Sequence, residues 1–497
     1  MFFDSMKDLL NEEKTFTTNG AVAYRTSGKQ LLDFNFCVSA LRNKSENEIE
    51  DKYAKVFYED RLTAIKYLFY VGDVRGGLGE RKTFKTGLKW LSLEHPEIAK
   101  AVLPLVAEYT RWDNLWCLLD SVLRYDIVDL IKTQLNEDEK NMMENKPISL
   151  LAKWMPSINA SSSNTRRIAR VLCKEIGITK AQYREMLSQL RKYLDVVEVK
   201  MSAKEWDKIK YESVPSKANL NYNSAFLRND EKRRRAYLDA LSKGETKINA
   251  STLQPHEITY KYRRSRSVDE TLEELWKALP NLFIENTLVI RDGSASMTWT
   301  RCGNSGATPL DVATALAIYM SEHNSGGWKD KFVTFSASPK IVDLSKCKTL
   351  REKVDLSLRE SDCSNTNIYK TMKLILNTAI RNKMTQEDMP KTIVITSDMQ
   401  FDGRYHSLNK SLFDSIAEEY KENGYLLPKI CFWNLSGSVN NTVPMQQNTL
   451  GLILCSSFSV QILKMFMSGK TDPYEILLEE LNSERYRPVE EAVKNII

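Results

Sequence analysis

Residues 1 to about 285 place apolar side chains at helical spacing in many short segments: 61-RLTAIKYLFYVGD-73, 99-AKAVLPLVAEYTRWDNLWCLLDSVLRYD-126, 165-TRRIARVLCKEIG-177 and 181-AQYREMLSQLRKYLDVVE-198. Recurrence at three and four residues gives each segment one apolar face, and the connectors are short and hold Gly, Pro, Asn or Asp. This pattern predicts consecutive helices stacked as pairs, in irregular HEAT-like repeats, because no fixed sequence period is visible. From about residue 286 the texture changes to short apolar runs that alternate with helical segments: 287-TLVIRD-292, 308-TPLDVATALAIYMSEHN-324, 330-DKFVTFSAS-338, 368-IYKTMKLILNTAIRN-382, 391-KTIVITSD-398, 411-SLFDSIAEEYKENG-424, 429-KICFWNLSG-437 and 450-LGLILCSS-457. Alternating β and α segments predict a parallel, doubly wound sheet. The expected fold class is multidomain α and α/β: an all-α helical-repeat domain at 1–285, an α/β domain at 286–468 and a helical extension at 469–497.

Doubly wound sheets bind ligands beyond the carboxyl ends of their strands. At the first of those ends stands 290-IRDGSASM-297, with Asp292, Ser294 and Ser296 at alternate positions. A D-x-S-x-S pattern arises by chance roughly 0.15 times in a chain of this length, so alone it is weak. Two further loops strengthen it: 361-SDCSNTNIYK-370, which holds Thr366 before a helix, and Asp398 at the end of 391-KTIVITSD-398. Two acids and three hydroxyls suit a hard, octahedral divalent ion that keeps waters, and only two charges leave a position open to an anionic ligand. The plain alternative is that the serines and glycine cap a helix and turn the chain.

Asp292-x-Ser294-x-Ser296, Thr366 and Asp398 resemble the metal-ion-dependent adhesion site of von Willebrand factor A domains. The resemblance implies that the serines and Thr366 ligate Mg²⁺ or Mn²⁺ directly while the aspartates act largely through water. Gly293 departs from the hydrophobic or small residue common at that place and removes no ligand.

The phrases 73-DVRGGLGERKTF-84, 109-YTRWDNL-115, 152-AKWMPS-157, 201-MSAKEWDKIKYESVPSKA-218, 254-QPHEI-258 and 397-SDMQFD-402 resemble a widespread uncharacterised family of bacterial, phage and plant proteins. That family is similar in layout to the TROVE-module Ro autoantigens, in which HEAT-like repeats form a ring closed by a von Willebrand A domain. The resemblance implies binding of small structured noncoding RNA and of single-stranded ends of misfolded RNA. It carries over by architecture, not by matched contact residues.

Charge bears on RNA independently. The net charge is +6, yet residues 151–266 hold 25 Lys and Arg against 12 Asp and Glu, a net of +13, so the remainder sums to −7. The candidate phosphate-binding residues are Arg166, Arg167, Arg170, Arg191, Lys192, Lys232, Arg233, Arg234, Arg235, Lys261, Arg263, Arg264 and Arg266. They lie among Tyr183, Tyr193, Tyr211, Tyr222, Tyr237, Tyr260 and Tyr262, and aromatic rings can stack unpaired bases. Any single cluster is also compatible with a solvated helix face, and tyrosines at helical spacing with packing.

The remaining chemistry narrows the choice. The glycine loop 76-GGLGERK-82 lacks a G-x-x-x-x-G-K-[ST] pattern and predicts a tight turn between helices, with Arg75, Arg81 and Lys82 flanking it. Eight cysteines without a C-x-x-C pair and four histidines argue against a disulfide framework, zinc modules and acid–base catalysis, and His256-Glu257 lacks a second histidine for a zinc helix. The start MFFDSMKDLLNEEK has no basic and apolar leader, and no long apolar window exists, so a soluble cytoplasmic protein without membrane contact is expected. The leading expectation is a non-enzymatic RNA-binding scaffold with a divalent cation. A protein-interaction adaptor, whose partner lends an acidic side chain to the metal, is the alternative, and a metal-dependent hydrolase ranks third.

Overall fold

A computed structural model describes residues 14–16, 22–263, 267–282, 285–302, 306–335, 338–360, 368–399, 412–435, 452–467, 470 and 472–497. The chain divides into two compact units, one comprising Met1–Asp60 with Ala250–Ser483, the other Arg61–Asn249 with Glu484–Ile497.

The first unit holds a six-stranded sheet of Thr287–Asp292 (β3), Lys331–Phe335 (β4), Ile341–Asp343 (β5), Thr392–Ser397 (β6), Lys429–Asn434 (β7) and Leu452–Cys455 (β8). It also holds a two-stranded antiparallel ribbon, Lys14–Phe16 (β1) with Val22–Tyr24 (β2). That ribbon lies in the part expected to be all-α, so the amino-terminal region is mainly rather than wholly helical. The sheet order is β5-β4-β3-β6-β7-β8. All neighbours run parallel except β4 and β5, so the sheet is mixed, not purely parallel as the sequence predicts. Only the short segment 336–340 separates those two strands, which is too little chain for a crossover and enough for an antiparallel return.

Every residue of β3 and β6 is buried, which is why their centres, Leu288–Ile290 and Ile393–Ile395, read as apolar runs without alternation. Helix Pro309–Glu322 packs on β3 and β4 and is itself covered by Pro255–Tyr262 and Leu350–Arg359. It is therefore apolar nearly all round, as a helix without a water-facing side must be. Its start is fixed by a capping box in which Thr308 Oγ1 accepts from the Asp311 N–H and the Asp311 carboxylate accepts from the Thr308 N–H. Helix Gln30–Cys37 packs on β7 and β8. There Asn35 donates to the Leu454 carbonyl and Asn434 to the Phe36 carbonyl.

The second unit is helical. Arg61–Gly72 packs against Arg81–Glu94 and Arg487–Val493, Arg124–Met143 packs against Ser163–Ile176 and Lys180–Tyr193, and Ser216–Asn229 packs against Glu231–Ser242. The stretch 99–126, which reads as one helical pattern, is instead broken into Pro96–Val102, short turns and a 3-10 segment at Trp112–Leu118. Among the described residues no helix is long and apolar enough to cross a membrane.

The glycine loop after Arg61–Gly72 is the tight turn its sequence predicts. The Leu78 N–H donates to the Tyr70 carbonyl at 3.0 Å, the Glu80 N–H to the Val71 carbonyl at 2.7 Å and the Gly76 N–H to Asp73 at 3.1 Å. These amides are spent inside the fold and cannot cradle a phosphate. A Cβ on Gly77 would stand 2.0 Å from the Tyr70 carbonyl oxygen, so the loop must give way. Gly77→Ala is expected to destabilise this unit by about 1–3 kcal/mol, read as a lower urea midpoint at unchanged slope.

Three family-like phrases meet in the same unit. Asp113 accepts from both Arg81 and Arg111, and the Arg111 guanidinium lies 4.1 Å from the Trp154 ring centre. The phrases at 73–84, 109–115 and 152–157 thus interlock by charge and stacking.

Candidate metal centre and basic surface

Asp292 ends β3, and Ser397 ends the adjacent parallel strand β6. Because Arg291 pairs with Thr396, the next residues of each strand, Asp292 and Ser397, emerge side by side at the carboxyl edge. Asp292 is fully buried and accepts from the Ser294 N–H at 2.8 Å and from the Ser397 hydroxyl at 2.5 Å. Ser294 begins the 3-10 turn Ala295–Thr298, and its hydroxyl lies 3.0 Å from that of Ser296. Asp398 is 5% exposed. Met399, next in the chain, has φ +66°, a left-handed conformation that turns the backbone directly after the acid.

Burial, and then the neighbouring charge of Asp398, push the Asp292 carboxyl up to about 7. Two carboxylates withdrawn from water at one edge raise each other's proton affinity, and a cation between them relieves both effects. An octahedral ion with oxygens at roughly 2.0–2.1 Å sets neighbouring ligands roughly 2.8–3.0 Å apart. The Ser294 and Ser296 hydroxyls are hydrogen-bonded at 3.0 Å, a separation that neighbouring ligands of such an ion also adopt. Among the described residues no three His, Cys, Asp or Glu side chains gather as a metal cluster. Thr366 lies outside the described residues.

Sequence reasoning missed Ser397, the hydroxyl that holds Asp292 in place, and Arg291. Arg291 is fully buried and donates to Thr314 Oγ1 at 3.2 Å and to the Ser357 carbonyl at 3.0 Å. An arginine inside an apolar strand run was the available signal, since a buried cation needs several acceptors.

The basic candidates disperse. Lys261 and Arg263 belong to the first unit, where Arg263 pairs with Asp311 at 2.9 Å, while those from Arg166 to Arg235 belong to the second. Arg264 and Arg266 lie outside the described residues. Arg166 donates to the Ala160 and Ser161 carbonyls, and Arg167 pairs with Asp120 at 3.1 Å. Arg233 donates to the Trp206 and Ile209 carbonyls, and Arg235 pairs with Glu231 one helical turn away. Arg234 is 0% exposed, bonded to Asn219 and Asn223 and stacked over Tyr211, so burial removes it from reach of a phosphate. Arg170, Lys192, Lys232 and Lys261 are exposed. The interleaved aromatics are largely core: Tyr183, Tyr211, Tyr237 and Tyr262 are buried, and their hydroxyls bond within the fold.

Comparison with known proteins places the chain. A solved Ro (RSR) protein of Deinococcus radiodurans is similar over 86% of this chain and 92% of its own, at 14% identity and a TM-score of 0.43. An uncharacterised protein of Acanthamoeba polyphaga mimivirus is 30% identical over 96% of this chain and 88% of its own length. The domain of unknown function DUF7788 matches residues 286–495, and the domain of unknown function DUF2828 matches 17–112 and 121–282. With more than half its length under the second of these and a relative of that identity along nearly all of it, the chain belongs to the DUF2828 family.

Proposed function

We propose that the chain is a non-enzymatic RNA-binding scaffold whose α/β unit is a von Willebrand factor A domain holding one Mg²⁺ or Mn²⁺, and whose helical unit is built of HEAT-like pairs that hold small structured RNA or single-stranded RNA ends. The observation that carries the metal half is the buried Asp292, raised to about 7 by desolvation and by Asp398, close to two hydroxyls that lie 3.0 Å from each other. Asp292, Ser294, Ser296 and Asp398 would hold the ion, with Thr366 completing the set. When bound it supplies a Lewis-acidic position that accepts an anionic oxygen. Ser397 fixes the Asp292 rotamer through its hydrogen bond.

Arg191, a half-buried cation held only by neutral oxygens, supports the RNA half, together with the +13 segment and the Ro-like layout its sequence phrases imply. In filter binding with a small structured RNA, affinity should fall steadily as salt rises, by roughly 0.7–0.9 log units per log unit of salt for each phosphate neutralised. No binding at low salt, or binding indifferent to salt, would overturn this half.

A second reading, a protein adaptor, has its own support. Trp299 is 77% exposed three residues beyond Ser296, an aromatic anchor beside a position that also accepts a carboxylate. It requires that Asp292→Ala abolish capture of a protein partner in a pull-down while RNA affinity stays unchanged.

A further inference from the structure

The second unit contains a cavity of about 330 Å³ between the segment around Ser157 and helix Lys180–Tyr193. Its polar lining is Ser157, Asn159, Arg184, Ser188 and Arg191, and Val199 gives it an apolar wall. No described carboxylate lines it. Arg191 is pinned there: its Nε–H donates to the Ala152 carbonyl at 2.8 Å, Nη1 to Ser157 Oγ at 3.0 Å and Nη2 to the Met155 carbonyl at 2.6 Å. A guanidinium has five N–H donors, so one on each Nη remains for a ligand. Its acceptors are neutral, and among the described residues neither Arg191 nor Arg184 has a carboxylate partner. Burial lowers the Arg191 proton affinity, the response of a cation held from water without a counter-charge. A half-buried, pre-oriented and uncompensated guanidinium beside a second arginine and two hydroxyls is an anion receptor.

We propose that this cavity is a phosphomonoester site that seats the phosphorylated terminal nucleotide of a bound RNA strand. Pockets for single small groups start at about 300 Å³, so the volume takes one nucleotide and excludes a duplex. The planar fork of Arg191 takes two phosphate oxygens, Arg184 and Ser188 close over the third, and Val199 meets the sugar or base. The RNA identity of the ligand rests on the scaffold reading above, whereas the phosphate chemistry rests on the cavity alone.

The test uses the full chain and three internally labelled single-stranded RNA decamers, alike except for a 5′-phosphate, a 3′-phosphate or hydroxyls at both ends. Fluorescence anisotropy should show one phosphorylated decamer binding about tenfold more tightly than the hydroxyl-ended one. Arg184→Gln and Ser188→Glu, both at exposed helix positions, should each remove that advantage and leave the hydroxyl-ended affinity unchanged. Equal binding of all three decamers, or an advantage that survives both variants, overturns the proposal. If no decamer binds, the scaffold reading fails, and calorimetric titration with uridine 5′-monophosphate then decides the cavity. Binding that Ser188→Glu abolishes supports a site for free nucleotides, and no binding of the monophosphate overturns it.

Discussion

Adding Mg²⁺ at pH 8 is expected to stabilise the α/β unit by about 2.7 kcal/mol when the ion is present at about a hundred times its dissociation constant. At pH 5.5 the same addition should do little. The cause is Asp292, whose carboxyl burial and Asp398 push up to about 7, so that below that pH a proton occupies the group the cation needs. The sign without metal follows from linkage. A carboxyl whose folded value lies above its unfolded value stabilises the fold when protonated, fully so below about 4, and that contribution is lost as pH rises through about 7. Metal-free protein should therefore lose stability between these limits, and Mg²⁺ should restore it at the alkaline end. Asp292→Asn should cancel both effects, in differential scanning fluorimetry across pH, without lowering the metal-free midpoint at pH 8. A Mg²⁺ shift of equal size at pH 5.5 and pH 8, or one that persists in Asp292→Asn, would refute the assignment.

Asp73→Ala should behave in the opposite way and lower stability at neutral pH by about 3 kcal/mol, the lower end of the range for breaking a buried pair. Asp73 is fully buried and accepts from the Arg75 and Gly76 N–H groups, from Nε and Nη2 of Arg485 and from the Tyr486 hydroxyl at 3.1 Å. Its hydrogen bonds to the Asp73 carboxylate hold the Arg485 guanidinium well above its usual proton affinity. Removing the carboxylate strands that guanidinium, 36% exposed, and two turn amides. A loss in urea denaturation below about 1 kcal/mol would mean the pair is no stronger than a surface bridge. Two buried aspartates of one chain thus respond oppositely to neutralisation, because one faces an arginine and the other faces an acid.

The α/β segments were legible because each central strand is buried on both faces and appears as a continuous apolar run. The edge strand β5 was not: three residues with only Val342 buried leave no pattern to count. The attachment of Gln30–Cys37 to β7 and β8 joins residues some 400 positions apart, and no local periodicity encodes such a pairing. At the candidate centre, the D-x-S-x-S spacing and the strand-end Asp398 were readable, whereas Ser397 becomes visible only once β3 and β6 are known to be neighbours. The basic run at 232–235 carried an unused signal. Arg234 shares a helical stripe with Tyr237, Leu238 and Leu241, all buried, so its phase already placed it inside. The +13 segment counts residues from both units, which a linear charge sum cannot separate.

Both compact units are assembled from sequence that is not contiguous, and this sets the order in which they can be finished during synthesis. Gln30–Cys37, with Leu31, Leu32, Phe34 and Phe36 on its buried face, has its place on β7 and β8. Those strands begin at Lys429, and at translation speeds of about 5–20 residues per second the helix waits roughly 20–80 s for them. The intervening helical unit must wait for Arg487–Val493, which packs on Arg61–Gly72. A nascent chain of this protein therefore carries unsatisfied apolar surface for most of its translation, the condition under which aggregation competes with folding.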